Sequence, residues 1–474
     1  MDVVPSAGAW GRQMREDCRS PRAELKHFTE SIKGFGRRCL WQRAASVLGK
    51  MRHLGVGPDM IACSAVIGAC ARGKQWERAL GFLHEMRHLG LQPNIVAHNA
   101  AISACERGHQ WALAPRLLAE LRMRSLRPDV ITYNTLVAAC SKGPQWEEAL
   151  GLFAEMRRDG LQHDAITCNS LISACDRGQQ WLRSLQLLWE MRQSALRPDV
   201  VSYGAAISAC GSGRHWQAAL GLLSEAHGRG PAPDLVIYNA SISACEKGHQ
   251  WERSLQLLHE ASCRGLRPDT VSHNAVISAC ARGQQWLRAL GLVAAMWANG
   301  PKPDTVTYNA LISACEGGEP WAKALALLPE MRRRGLLPNV VTYNSAISAC
   351  DKGHRWEWAL ALFSEVWRVA IRPSEVTYNA TISACEKGLP WEKVLGLLGG
   401  LSQHGLRPDE ATLSASLAAC AQAARWEAAL QLFGEMPTCG LLRDIGSYNT
   451  AIAACARGRR WTLSLELLAE MRLW

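Results

Sequence analysis

The hydrophobic positions of this chain fall into two alternating stripes. In residues 130–164, Tyr133, Leu136, Val137 and Cys140 stand at i, i+3, i+4 and i+7, the spacing of one apolar face of a helix. A glycine follows, as at Gly143, Gly178, Gly248 and Gly353, and is read as the stop of that helix. A second stripe then begins, for example Trp76, Ala79, Leu80, Leu83 and Met86. It ends in a Gly-Leu-x-Pro-Asp turn, where glycine permits a left-handed residue and proline forbids continuation. The pattern therefore predicts a helical hairpin, and it recurs without insertion or deletion. Cys70, Cys105, Cys140 and every 35th residue up to Cys455 keep one beat, and Trp41, Trp76, Trp111 and onward to Trp461 keep another. Repeats start at 25, 60, 95, 130, 165, 200, 235, 270, 305, 340, 375, 410 and 445. The first, 25–59, is degraded, with Phe35 in the cysteine column, and the thirteenth ends at Trp474. A pair of short helices cannot bury both stripes alone, so neighbouring hairpins must stack. The predicted fold is all-α, an α-solenoid of about 26 helices.

Length and composition change meaning in that light. A chain of 474 residues would ordinarily suggest several globular domains, but the strict period replaces them with one array at 25–474. The 18 cysteines would suit a disulfide scaffold were they not spaced one per repeat. Stacked repeats advance on the order of 10 Å, beyond the roughly 7 Å Cα limit of a disulfide, and no Cys-x-x-Cys ligand pair occurs. They read as small core residues in a reducing compartment. Cys18, Cys39, Cys63, Cys168, Cys263 and Cys439 lie off the column without a ligand pattern. Tryptophan, 19 against 6 Phe and 7 Tyr, could form a base-stacking ladder. Its phase with the buried Leu and Met positions favours packing between repeats. Lys and Arg exceed Asp and Glu by 53 to 42, a net charge of +11, which points to an anionic partner. No apolar run approaches the roughly 18 residues of a membrane span.

Within a repeat, position 5 follows the aromatic at position 4 yet is almost always small and polar. Asn99, Asn134, Asn169, Asn239, Asn274, Asn309, Asn344, Asn379 and Asn449 occupy it, with Thr29, Ser64 and Ser414 in three others and Gly204 as the exception. Position 35 is restricted in the same way: Asp59, Asn94, Asp129, Asp164, Asp199, Asp234, Asp269, Asp304, Asn339, Ser374, Asp409 and Asp444. Capping of the first helix by position 5 would account for Asn and Ser there, but not for a second restricted position. Two hydrogen-bonding side chains per repeat are what one-base-per-repeat reading of single-stranded RNA requires. A cation at position 13 recurs in Arg37, Arg72, Arg107, Lys142, Arg177, Lys247, Arg282, Lys352, Lys387 and Arg457. It reads either as a phosphate contact or as a solvated helix end favoured by the dipole.

The repeat resembles the pentatricopeptide repeat. Val306-Thr307-Tyr308-Asn309-Ala310-Leu311-Ile312-Ser313-Ala314-Cys315 is a near-ideal copy, and the uniform 35-residue length resembles the family's pure class. The 34-residue tetratricopeptide hairpin, a peptide-binding scaffold, lacks this pattern. The resemblance implies a right-handed superhelix whose first helices line the concave wall. It implies that positions 5 and 35 face the Watson–Crick edge of one base. Position 2 then clamps the base ring: Val96, Ile131, Ile166, Val201, Val236, Val271, Val306, Val341 and Val376. The family more often carries its cation at position 12, which here tends to be acidic, as at Glu106, Asp176 and Glu246. The family's pairing rules, with the amino terminus at the RNA 5′ end, give G-A-U-U-U-N-U-U-C-Y-U-G. Thr29/Asp59 and Ser414/Asp444 imply G, Ser64/Asn94 implies A, Asn/Asp pairs imply U, Asn309/Asn339 implies C and Asn344/Ser374 a pyrimidine.

The partner so implied is a pyrimidine-rich single-stranded RNA, bound by a monomer without cofactor, metal, membrane or small-molecule substrate. Family members act on organellar transcripts, which implies a chloroplast or mitochondrial location, and chloroplast first. Residues 1–24 are read as a separate segment, with Arg12, Arg15, Arg19 and Arg22 beside Asp2, Glu16 and Asp17, a weak organelle signal. No His-x-Glu pattern occurs. The His-Glu-x-x-His spelling occurs once, at His84–His88, and Gly-x-x-x-x-Gly-Lys once, at Gly68–Lys74 with Gln75 where Ser or Thr would follow. Both lie within the helical pattern of the repeat, so the chain reads as non-enzymatic. The alternatives are a protein-interaction scaffold and the recognition part of an RNA-processing enzyme.

Overall fold

The computed structural model describes residues 21–143, 145–317, 321–386, 388, 391–437 and 440–472. Among them are 26 α-helices and no strand, arranged as thirteen hairpins in the register of the 35-residue repeat. First helices include Val130–Lys142, Ala165–Arg177 and Val340–Lys352; second helices include Trp146–Arg158, Trp181–Gln193 and Trp356–Arg368. The first helix of repeat 1 spans Pro21–Arg37, so it starts inside the segment set apart at 1–24. Cys18, Cys439 and Lys387 lie outside the described residues.

The chain forms two compact halves, up to residue 244 and from residue 245, each an α-solenoid of the same construction. First helices pack on the first helices of adjacent repeats, and each second helix packs on its own first helix and the following one. The two stripes meet in this interior. Tyr133, Leu136, Val137 and Cys140 have no exposed surface, and Ala79, Leu83 and Met86 are at most 2% exposed. The cysteine column lies wholly within the core, and burial pushes the thiols of Cys105, Cys140 and Cys245 up to about 11. They are unreactive packing groups.

Hydrogen bonds and ion pairs knit repeat to repeat on the second-helix side. In the first half, Arg52, Arg87, Arg122, Arg157 and Arg192 each pair with the glutamate of the next repeat, Glu85, Glu120, Glu155, Glu190 and Glu225. Arg122 also donates to the buried Tyr133 hydroxyl at 2.8 Å, which satisfies a phenol that burial would otherwise strand. In the second half Arg332 plays this part toward Tyr343 and Glu365, and the Trp297 indole N–H donates to Tyr308 at 3.3 Å.

The glycine at position 14 has a different cause from the one its place suggests. Gly73, Gly108 and Gly178 have φ near −80°, which any residue adopts. The left-handed residue is the next one, and it is not glycine: Lys74, His109, Gln179 and Arg214 have φ between 55° and 61°. Such residues carry a strain of about 1 kcal/mol. What position 14 cannot hold is a side chain. A Cβ on Gly178 would stand 2.3 Å from Trp146 Cδ1, and one on Gly283 2.4 Å from Trp251 Cδ1. The tryptophan column thus lies flat against the backbone of the following repeat. That repeat's position 16 also packs on it: His215 stacks on Trp181, and Arg355, Arg425 and Arg460 lie over Trp321, Trp391 and Trp426.

Candidate nucleic-acid interface

The Asp, Asn and Ser of position 35 turn out to be helix caps. Each precedes the first helix of the next repeat in extended backbone, and its side chain accepts the N–H three residues on: Thr132 N–H to Asp129 at 2.7 Å, Thr342 N–H to Asn339 at 3.0 Å. Capping at position 35 is enough to restrict that position to these residue types. Position 5 is no cap. It sits within the helix, one turn further along, and its amide reaches the cap of the following repeat.

Asn99 Nδ2 donates to Asp129 Oδ1 at 3.2 Å, and the same link joins Asn134 to Asp164, Asn169 to Asp199, Asn274 to Asp304 and Asn379 to Asp409. Asn309 reaches Asn339 Oδ1 at 3.4 Å and Asn344 reaches Ser374 Oγ at 3.4 Å. Asn239 and Asp269 occupy the same positions in repeat 7. The remaining repeats differ. The hydroxyls of Thr29 and Ser64 turn back onto their own helix, to the carbonyls of Leu25 and Met60. Asp59, Asn94, Asp234 and Asp444 cap their helices. Gly204 leaves open space where a side chain would stand, and Ser414 and Asn449 complete the column.

The Asn99–Asp129 pair presents a defined pair of groups, while Asn134 and Asn169 reach both oxygens of Asp164 and Asp199 and Asn379 reaches Asp409 Oδ2. Asn99 spends one amide hydrogen on Asp129 and keeps the other. Asp129 takes its bonds on Oδ1, and Oδ2 accepts none among the described residues. Partial burial works against the charge of Asp129 and Asp164, yet hydrogen bonds from Thr132 and Thr167 hold both carboxyls below the ordinary range. They are ionised acceptors at neutral pH. One N–H beside one carboxylate oxygen complements a carbonyl beside an N–H, the edge of uracil. In the Asn309/Asn339 pair the cap offers an amide instead, so two donors face outward and complement the acceptor edge of cytosine.

Beside these pairs runs a row of uncovered apolar side chains. Ile61, Val96, Ile131, Ile166, Val201, Val236, Val271, Val306, Val341 and Val376 are 55–64% exposed. Single exposed aliphatics are ordinary; the same position uncovered in ten repeats of thirteen is a surface built for apolar contact.

The position-13 cations mostly have partners already. Lys142 pairs with Glu106 at 2.9 Å, Arg282 with Glu246 at 3.5 Å and Lys352 with Glu316 at 3.2 Å, in each case the position-12 carboxylate of the preceding repeat. Arg72 and Arg457 donate to the backbone carbonyls of Gly36 and Ala421. Arg107 and Arg177 are exposed and make no ion pair among the described residues. Glu106, Glu246 and Glu316 at position 12 are thus halves of inter-repeat ion pairs, and Asp176 accepts from the Ser208 and Ser212 hydroxyls of the next repeat at 2.8 and 3.0 Å, contacts that spacing within a single repeat could not reveal.

Profiles of known families match most of the array. Those of the PPR repeat family match residues 93–142, 128–177, 303–352 and 338–387. Those of the pentatricopeptide repeat domain match 46–108 and 256–318, and those of the PPR repeat match 201–231, 417–441 and 446–474. The chain belongs to the pentatricopeptide repeat family. Among solved structures it is similar to the pentatricopeptide repeat protein PPR10 in complex with an 18-nucleotide psaJ RNA element. The two are 22% identical over 95% of this chain and 69% of that one, with a TM-score of 0.60. A second crystal structure of PPR10, from maize, is 20% identical over 94% and 78% of the respective chains, with a TM-score of 0.49. At this identity the likeness establishes the fold. Among curated proteins, none matches the sequence significantly.

Proposed function

We propose that this protein binds single-stranded RNA sequence-specifically, one base per repeat, without catalysing a reaction. The observation that carries the reading is the exposed Val/Ile row beside Asn–Asp pairs such as Asn99/Asp129, in which one amide hydrogen and one carboxylate oxygen are left for a ligand. A base held against the row brings its Watson–Crick edge to that pair, so affinity and selectivity arise in neighbouring side chains. PPR10, of the same fold, is seen with RNA. The uniform repeat length supports a place in the pure class, and the family's habits support an organellar transcript as target, in the chloroplast before the mitochondrion. The bound form is a monomer, and Arg107 and Arg177 are the cations most available to phosphates.

The target read from the pairs is G-A-U-U-U-N-U-U-C-Y-U-G. Binding of this 12-mer, measured by fluorescence anisotropy, should exceed binding of the same bases closed in a hairpin stem by at least tenfold, because paired bases present no free edge. Equal affinity for the two forms would refute base reading.

A further inference from the structure

Where position 3 carries Thr or Ser after an asparagine repeat, it is absent from the base-reading pair but holds the amide of the repeat before it. Thr132 Oγ donates to Asn99 Oδ1 at 2.7 Å, Ser202 to Asn169 at 2.6 Å, Thr307 to Asn274 at 2.6 Å and Thr342 to Asn309 at 2.6 Å. Thr167, Thr377 and Thr412 do the same for Asn134, Asn344 and Asn379. These hydroxyls are buried, and Thr132, Thr167, Thr307 and Thr342 have no exposed surface. The hydroxyl is itself oriented. The cap residue's backbone N–H donates into it, Asn339 to Thr342 Oγ1 at 3.0 Å, and of the two oxygens its single hydrogen can reach, Asn309 Oδ1 at 2.6 Å is nearer than the cap's Asn339 Oδ1 at 2.9 Å.

Within this one chain the two residues go together. Every position-5 asparagine that another repeat follows, including Asn239 with Ser272, has Thr or Ser 33 residues on. Thr29, Ser64 and Gly204 are followed at that distance by Ala62, Ala97 and Ile237. Ser447, after Ser414, donates instead to the Asp444 carbonyl at 2.8 Å. A capping role alone would not tie the hydroxyl to asparagine in the repeat before, since Asp59 and Asn94 cap their helices without one.

We propose that the position-3 hydroxyl is a specificity-positioning residue for the preceding repeat. It occupies the asparagine's oxygen and so fixes the amide with its nitrogen toward the base. Without it the amide can turn over and present an acceptor where a donor stood. In Asn–Asp repeats the carboxylate also opposes the turned amide, because two acceptors would then face each other. In the Asn309/Asn339 repeat the cap carries no charge, and the Thr342 hydroxyl is the main restraint. This inference rests on the base reading proposed above, and repeat 9 is where it is most exposed.

The test is Thr342→Val, which keeps the shape and removes the hydroxyl, with Thr342→Ser as the conservative variant. Anisotropy titrations would use the full chain and 12-mers carrying C or U at the ninth nucleotide, with a second substitution at the third nucleotide as reference. The expected result is a C-over-U preference at the ninth nucleotide reduced about fivefold, the worth of one hydrogen bond, by Thr342→Val alone. Discrimination at the third nucleotide should stay as it was, and Thr342→Ser should retain both. An unchanged ninth-nucleotide ratio, or an equal weakening toward every RNA with a lowered melting temperature, would reduce Thr342 to a structural cap and overturn the proposal. If the unmodified protein itself prefers no base at the ninth nucleotide, the base reading fails first and the proposal falls with it.

Discussion

Replacing Val271, Val306 and Val341 together with Ser should weaken RNA binding on the order of 100-fold while leaving the fold intact. The three side chains are 62%, 58% and 55% exposed and hold nothing in the protein together, so folding stability should move by less than about 0.5 kcal/mol at each. Bases pressed against them would cover on the order of 40 Å² apiece, worth about 1 kcal/mol each, and about 3 kcal/mol in all is roughly two powers of ten in affinity. Titration of the variant with the 12-mer, with circular dichroism as the check on folding, decides the matter. Unchanged affinity would show that the apolar row does not meet the bases.

The second large effect is on stability. Gly178→Val should cost about 3 kcal/mol, because the Cβ would sit 2.3 Å from Trp146 Cδ1 and 2.5 Å from Cγ, and overpacking of this kind typically costs 1–3 kcal/mol. Some relief is available to a single methyl group. Repeat 12 carries Ala423 at the same position, so the indole of Trp391 has found room there, and Gly178→Ala should cost less than the valine. Gly151→Ala is the control of opposite sign. It lies in the second helix Trp146–Arg158, exposed, with nothing within 4 Å of the added carbon, and should stabilise by up to about 1 kcal/mol. Hydrogen exchange read at repeats 4 and 5 is the suitable measurement, since repeat arrays open locally rather than all at once. Equal effects from Gly178 and Gly151 would mean that the tryptophan contact is not what position 14 serves.

What the sequence disclosed and what it hid follow from the repeat itself. The stripes through Tyr133, Leu136, Val137 and Cys140 and through Ala79, Leu83 and Met86 were legible because burial follows helical period. The row at position 2 was legible only through the resemblance, since periodicity does not say which apolar positions stay uncovered. Contacts between repeats were illegible for a simple reason. Every repeat carries the same residues, so a strict period shows which columns exist and not which columns touch. Gly178 meets Trp146 of the repeat before, and Lys142 meets Glu106 of the repeat before; each was read within its own repeat, the one as a helix stop and the other as either a phosphate contact or a solvated helix end. The capping of Thr132 by Asp129 was local and within reach, but the usual signature has Glu or Gln three residues after the cap, and here that place belongs to Thr or Ser. Its consequence is that position 35 does two things at once, capping one helix and accepting the position-5 amide of the repeat before.

The central claim, that Asn309 and Asn339 with their counterparts read one base per repeat, meets its most direct test in selection of bound RNAs from a random pool, carried out with the unmodified protein and with Asn309→Thr combined with Asn339→Asp. The account expects a pyrimidine-rich consensus close to G-A-U-U-U-N-U-U-C-Y-U-G from the first, and from the second the same consensus with G in place of C at the ninth nucleotide. A purine-rich consensus, or a ninth nucleotide that does not respond to the double substitution, would contradict it.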